Sequence, residues 1–171
     1  AERSDALEES ARRLGKARKY RHPLFAAAYL EHLDALRYDD PKQARQNAQA
    51  VALKLIPQLP GSRAERLELQ LKAIGVYASC QRRKGRWATA ARALRIALGV
   101  ARRQNLPGIT ADLLQRAACV LSDTGRFREA TGLLDEALVI YHDMGFEEGL
   151  GMVMLERGTM LLHLGKYSET L

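Results

Sequence analysis

The side chains best equipped for chemistry in this chain are two cysteines, four histidines and the adjacent acids Asp39-Asp40 and Asp135-Glu136. Cys80 and Cys119 stand 39 residues apart. A metal site or a thiol redox pair needs cysteines or histidines about two to four residues apart. The two cysteines therefore read as reduced packing thiols of a cytoplasmic protein. His22, His32, His142 and His163 fall on different elements, and His163, beside a turn, reads as a polar surface residue. Asp39-Asp40 is better placed to cap a helix than to share a proton. Asp135-Glu136 belongs to the outer face of a helix whose core positions are Leu134 and Ala137. The glycines are isolated, so no phosphate-binding loop is present, and neither His-Glu-x-x-His nor Gly-x-Ser-x-Gly occurs. No catalytic residue, metal ligand or cofactor is expected, and the chain reads as a non-enzyme. The chemistry that is left is recognition by charge and apolar surface.

Charge is unevenly spread. The net charge is +7, which permits contact with nucleic acid, acidic proteins or anionic surfaces, or serves solubility alone. Two basic clusters stand out: Arg12, Arg13, Lys16, Arg18, Lys19 and Arg21 around Tyr20, and Gln81-Arg82-Arg83-Lys84. Aromatic residues make up only 6% of the chain, too few for the base-stacking platforms of a single-strand binder. No apolar run reaches the length of a membrane span, and no basic-then-apolar signal segment opens the chain. Ala1, not Met, stands first, as in a processed or excised piece.

The elements that must carry these groups are set by a repeat. Gly85-Arg86-Trp87, Gly125-Arg126-Phe127 and Gly165-Lys166-Tyr167 each read glycine, basic residue, aromatic, at forty-residue steps. Trp87, Ala90, Leu94, Ala97 and Ala101 follow at helical spacing, as do Phe127, Ala130, Leu134, Ala137 and Tyr141. Each glycine also ends an amphipathic run on its N-terminal side. The unit is helix, glycine turn, helix, with the glycine in the left-handed conformation that ends a helix. The aromatics Trp87 and Phe127 are expected to wedge, mostly buried, between the two helices, and Ala90 and Ala130 to let them approach. One pair cannot bury its apolar face alone, so pairs must stack.

Gly-x-aromatic-x-x-Ala, followed by Leu and Ala, resembles the tetratricopeptide repeat. The match covers Gly85 to Leu98 and Gly125 to Leu138, and part of Gly165 to Thr170, where Thr170 replaces the alanine. The period of forty resembles a longer-helix, bacterial-type variant of the family, whose usual period is about 34 residues. The resemblance implies an all-α, right-handed superhelical solenoid of antiparallel helix pairs. It also implies a concave groove lined by the first helix of each pair, holding a peptide or partner protein. Carried over by alignment, the groove positions are Lys72, Ser79, Arg82 and Arg83, then Gln115, Cys119, Ser122 and Asp123, then Met152, Leu155, Glu156 and Thr159. The carboxylate clamp of chaperone-binding members is not matched, since Gly75, Ser79, Gln115 and Cys119 hold its positions. With Arg82 and Arg83 beside that groove and Lys72 two to three turns earlier, an acidic or phosphorylated segment is expected to be preferred at that end, with Met152 and Leu155 offering an apolar end. The alternative is the sensor domain of a transcription regulator, or direct nucleic-acid binding through the basic surface.

Taken in order, residues 1–21 read as a basic helix and 22–60 as a degenerate first pair. Residues 61–107 and 108–146 read as two repeats and 147–171 as a truncated one, all in one solenoid domain. Pro23 opens a helix whose apolar face is Leu24, Phe25, Ala28, Leu33 and Leu36. Asp40 caps the next, which carries Ala44, Ala48, Val51 and Leu55 and stops at Ile56-Pro57. Ser62 and Glu65 form a capping box for a helix reaching Arg83. Leu59-Pro60-Gly61 and Leu106-Pro107-Gly108 read as equivalent punctuation. On that reading the helix after Gly61 is up to two turns longer than its successor. At the C-terminal edge Met152, Met154, Leu155, Leu161 and Leu162 offer more apolar surface than one neighbour can cover. Further helices, or self-association through this edge, are expected to cover it.

Overall fold

The computed structural model describes residues 22–163 and Gly165. Tyr167 and the basic cluster before His22 lie outside the described residues. Those described contain seven α-helices and no strand. They are α1 (Pro23–Leu36), α2 (Pro41–Ala50), α3 (Arg63–Arg83), α4 (Trp87–Arg103), α5 (Pro107–Asp123), α6 (Phe127–Asp143) and α7 (Glu147–His163). None of these helices is long and apolar enough to cross a membrane. The chain divides into two units, residues 1–86 and 87–171. The division falls at a glycine turn inside the expected repeat 61–107.

In the first unit α1, α2 and α3 pack on one another. Asp40 caps α2 as its sequence implies: one carboxylate oxygen accepts from the amides of Lys42 (3.0 Å) and Gln43 (2.9 Å), and Pro41 supplies the first helical residue. Ala44, Ala48, Val51 and Leu55 are all buried. Val51–Leu55 widens into a π-turn, with the Ile56 amide donating to the Val51 carbonyl, and a short 3-10 turn follows at Ile56–Gln58. Pro57 has no N–H with which to continue an α-helix, so the change of winding falls beside it. The Ser62 hydroxyl accepts from the Glu65 amide and the Glu65 carboxylate accepts from the Ser62 amide, a capping box that starts α3. The buried face of α1 differs from expectation. Ala26, Leu30 and Leu33 are buried, whereas Leu24 is 74% exposed. The buried three recur at i, i+4 and i+7, which is what one helix face requires.

In the second unit four helices of 17 residues follow one another, each separated from the next by three residues. Each packs on its neighbour in sequence. With connections that short, neighbours must run antiparallel. Ala90, Leu94, Ala97 and Ala101 of α4 and Ala130, Leu134, Ala137 and Tyr141 of α6 are buried as their spacing implies. Of the two wedges, Phe127 packs against the core around Leu134 with only the smaller part of its surface exposed, as expected. Trp87 is a correction: it is 43% exposed, because it begins its helix beside an exposed turn, where no next turn covers the ring.

The turns set this architecture. Gly125 has φ +76°. Its amide donates to the Ser122 carbonyl at 2.9 Å, and the Arg126 amide reaches back to the Leu121 carbonyl at 2.9 Å. These bonds satisfy carbonyls that the last helical turn leaves open. The Arg126 carbonyl then accepts the first bond of α6, from the Ala130 amide at 3.0 Å. One residue therefore closes a helix and opens the next. The same pair of bonds recurs at Gly85, Asn105 and Gly145, and all five left-handed positions from residue 85 onward, Gly165 included, are twenty residues apart. The structural step is thus half the sequence period.

A further expectation is corrected by these turns. The Leu106-Pro107-Gly108 turn is made by Asn105 (φ +52°), while Pro107 and Gly108 are already helical. Gly61 precedes its helix and Gly108 lies within one, so the two motifs are not equivalent. The α3 helix, 21 residues against 17, is about one turn longer than its successor, within the expected difference of up to two.

A Cβ added at Gly125 would meet nothing within 4 Å, so the requirement there is purely conformational. Gly125→Ala is expected to lower stability by about 1–2 kcal/mol. Asn105→Gly, at the same structural position, is expected to leave stability unchanged or raise it by up to about 1 kcal/mol. Urea unfolding midpoints check both, and an unchanged midpoint for Gly125→Ala would contradict the turn assignment.

Candidate functional site

The expected groove residues fall in both units. On α3, Lys72 and Arg83 are exposed, Arg82 is half-buried, and Ser79 is buried. Arg83 is already engaged: its guanidinium lies 4.6 Å from the centre of the Tyr38 ring. Arg37 approaches the same ring at 4.4 Å and donates to the Tyr38 hydroxyl at 2.8 Å. Tyr38 thus gathers two cations at the α1–α2 turn, a cation–π arrangement. The side chain of Gln81 in the basic run turns inward and donates to the Tyr77 hydroxyl at 2.7 Å.

The second unit brings its expected residues closer together. Gln115, Cys119 and Ser122 share one face of α5, and Met152, Glu156 and Thr159 share one face of α7. The Cys119 thiol donates to Glu156 Oε1 across 3.7 Å, joining the two faces. Gln115 is buried, Ser122 and Glu156 are half-buried, and Met152, Leu155 and Thr159 are exposed. The Thr159 hydroxyl donates to the Leu155 carbonyl at 3.0 Å, so it is satisfied within its own helix. Accessible groups at this face are mainly apolar.

Around the Cys119–Glu156 contact lies a polar cluster that repeat alignment does not reveal. Arg116 Nε donates to both oxygens of Asp112, at 3.0 and 2.9 Å. Tyr141, on α6, is buried and packs its ring 5.4 Å from that of Phe146. Burial pushes the Tyr141 phenol up to about 12, and the Asp112 carboxylate adds to the shift. Arg116 opposes it and Glu156 adds a smaller push. Asp112, Arg116, Glu156 and Tyr141 are therefore electrostatically linked across α5, α6 and α7. The signal available in the sequence was the Asp112/Arg116 pair, one turn apart on an otherwise apolar helix.

Other polar links join helices that are not neighbours in sequence. Arg102 of α4 donates to both oxygens of Glu136 of α6, at 2.6 and 2.7 Å. Between neighbours, Arg157 of α7 donates to Asp135 of α6 at 2.7 Å. Cys80 is fully buried in the core of the first unit, and neither Cys80 nor Cys119 forms a disulfide. Among the described residues no three His, Cys, Asp or Glu side chains converge as metal ligands. No protein-family model matches the chain, and no curated protein matches it.

The raised Tyr141 pKa has a stability consequence with a definite sign. The folded state holds the phenolic proton more tightly than the unfolded chain, whose tyrosines titrate near about 10. The contribution is complete below pH 10 and is lost as pH rises from 10 to 12. Tyr141→Phe removes that term. Between pH 9.5 and 12 the wild type should lose of order 1–2 kcal/mol more than the variant. Urea unfolding of both proteins across that range checks it, and parallel curves would contradict the assignment.

Proposed function

We propose that this chain is a tetratricopeptide-like helical-repeat module, a right-handed solenoid without enzymatic activity, that binds a peptide or partner protein. The carrying observation is the exposed face of α7. Leu155 is 75% exposed and Met154 61%, with Met152 and Leu162 also exposed. Met154, Leu155 and Leu162 share one face of the helix with Met152 beside Leu155 at its edge; exposed apolar side chains so placed mark interaction surfaces, and methionine adapts to varied partners. The equal helices and repeated turns of the second unit support the repeat reading. So do its links between alternate helices, Arg102–Glu136 and Cys119–Glu156.

Selection of a displayed random-peptide library against the chain tests this reading. Selected peptides should be apolar. The double change Met152→Glu and Leu155→Glu should weaken them at least about tenfold, the loss expected for a central anchor. No selectable peptide, or affinity indifferent to the double change, would overturn the reading. Binding of labelled DNA or RNA that falls steeply with salt, in the absence of peptide binding, would move it to nucleic acid.

A further inference from the structure

The opposite face of α5 carries a feature that the groove reading does not use. An open cavity of about 330 Å³ lies within the second unit. Arg95, Gly99 and Arg102 of α4 line one side, Ala117 and Leu121 of α5 the floor, and Leu133 of α6 the other side. At about 3.6 residues per turn, Ala117 and Leu121 point roughly half a turn away from Gln115 and Cys119. None of the expected groove residues lines this cavity.

The chain contains its own comparison, forty residues on. There Asp135 stands for Arg95, Val139 for Gly99 and Arg157 for Ala117. At those positions Asp135 and Arg157 meet in an ion pair at 2.7 Å. In the cavity the charge at the equivalent position is Arg95, opposite an alanine, and Arg95 has no ion-pair partner among the described residues. Gly99 adds a second observation. A Cβ placed there would meet nothing closer than the Arg103 guanidinium at 3.9 Å. Helix packing does not require glycine at this position, and glycine inside a helix is destabilising relative to alanine. Its missing side chain does leave the cavity open. Arg102, tied to Glu136 by two bonds, bounds the lining seven residues, or about 10 Å, further along α4.

We propose that this cavity binds a small amphipathic acid. Its apolar body lies against Leu121 and Leu133, and its carboxylate is held by Arg95. A mostly apolar lining with a few placed charges is the composition of small-ligand sites. A guanidinium binds a carboxylate through two parallel hydrogen bonds. The ligand carboxylate would supply the anion that the cavity lacks and Asp135 provides forty residues on. The site is separate from the apolar face of α7, so its failure and that of the peptide-binding reading are distinguishable.

Calorimetric titration of the whole chain with decanoate, and with decanol as the uncharged control, tests the proposal. Decanoate should bind saturably at one site and more tightly than decanol. Arg95→Gln should weaken decanoate about tenfold or more and abolish its advantage over decanol. Gly99→Leu, which fills the space and favours the helix, should abolish binding of both. The Met152→Glu, Leu155→Glu double variant should bind decanoate as the wild type does. No binding to the wild type, or decanoate binding indifferent to Gly99→Leu and Arg95→Gln, would overturn it.

Discussion

The second unit depends on two backbone hydrogen bonds made at every reversal of the chain. A residue with positive φ turns the backbone, and the amide after it reaches back to a carbonyl five residues earlier, as Arg126 does to Leu121. The same residue's carbonyl then receives the first bond of the following helix. Because one residue does both, the connection has no slack. Helix length, direction and the phase of the buried face are fixed together, and each helix begins twenty residues after the last. The phase places Ala90 and Ala130, both fully buried, at equivalent contacts. The same phase brings Arg102 to Glu136 and Cys119 to Glu156 across alternate helices.

That regularity explains why function has to reside in side-chain differences between repeats. The backbone scaffold is repeated, while the groups on it are not. Asp135 and Arg157 form an ion pair, whereas Arg95, Gly99 and Ala117, forty residues earlier, line an open cavity. On the other face of α5, burial raises the Tyr141 pKa, with Asp112 and Glu156 adding to the shift and Arg116 opposing it. The Cys119–Glu156 contact ties the α5 face to that of α7, beside the exposed residues Met152, Leu155 and Thr159.

Much of the fold was legible in the sequence. Asp40 and Ser62 announced helix starts through the groups they cap, and Gly85, Gly125 and Gly165 announced left-handed positions. The intervening reversals were not legible for a physical reason. Asn105 reaches the left-handed region without being glycine, and Pro107-Gly108 reads as a turn although proline and glycine also fit the first residues of a helix. Gly145 is followed by Phe146 and Glu147 and lacks the basic-aromatic signature. Trp87 matched the repeat pattern, but pattern does not reveal that a helix's first residue has less cover. The expected groove residues were only partly informative. Spacing placed them on helix faces, yet Ser79 and Gln115 are buried, and the Tyr141 cluster depends on three helices meeting.

The claim that interlocked turns organise the second unit is tested most directly by native-state amide hydrogen exchange read residue by residue. The amides of Leu106, Arg126 and Phe146 donate to carbonyls across the turns, at 2.9–3.1 Å. They should exchange with the same opening free energy as interior amides of the helices they close, although they lie outside those helices. Exchange of these three amides at the rate of an unstructured chain, while the helices stay protected, would contradict the account.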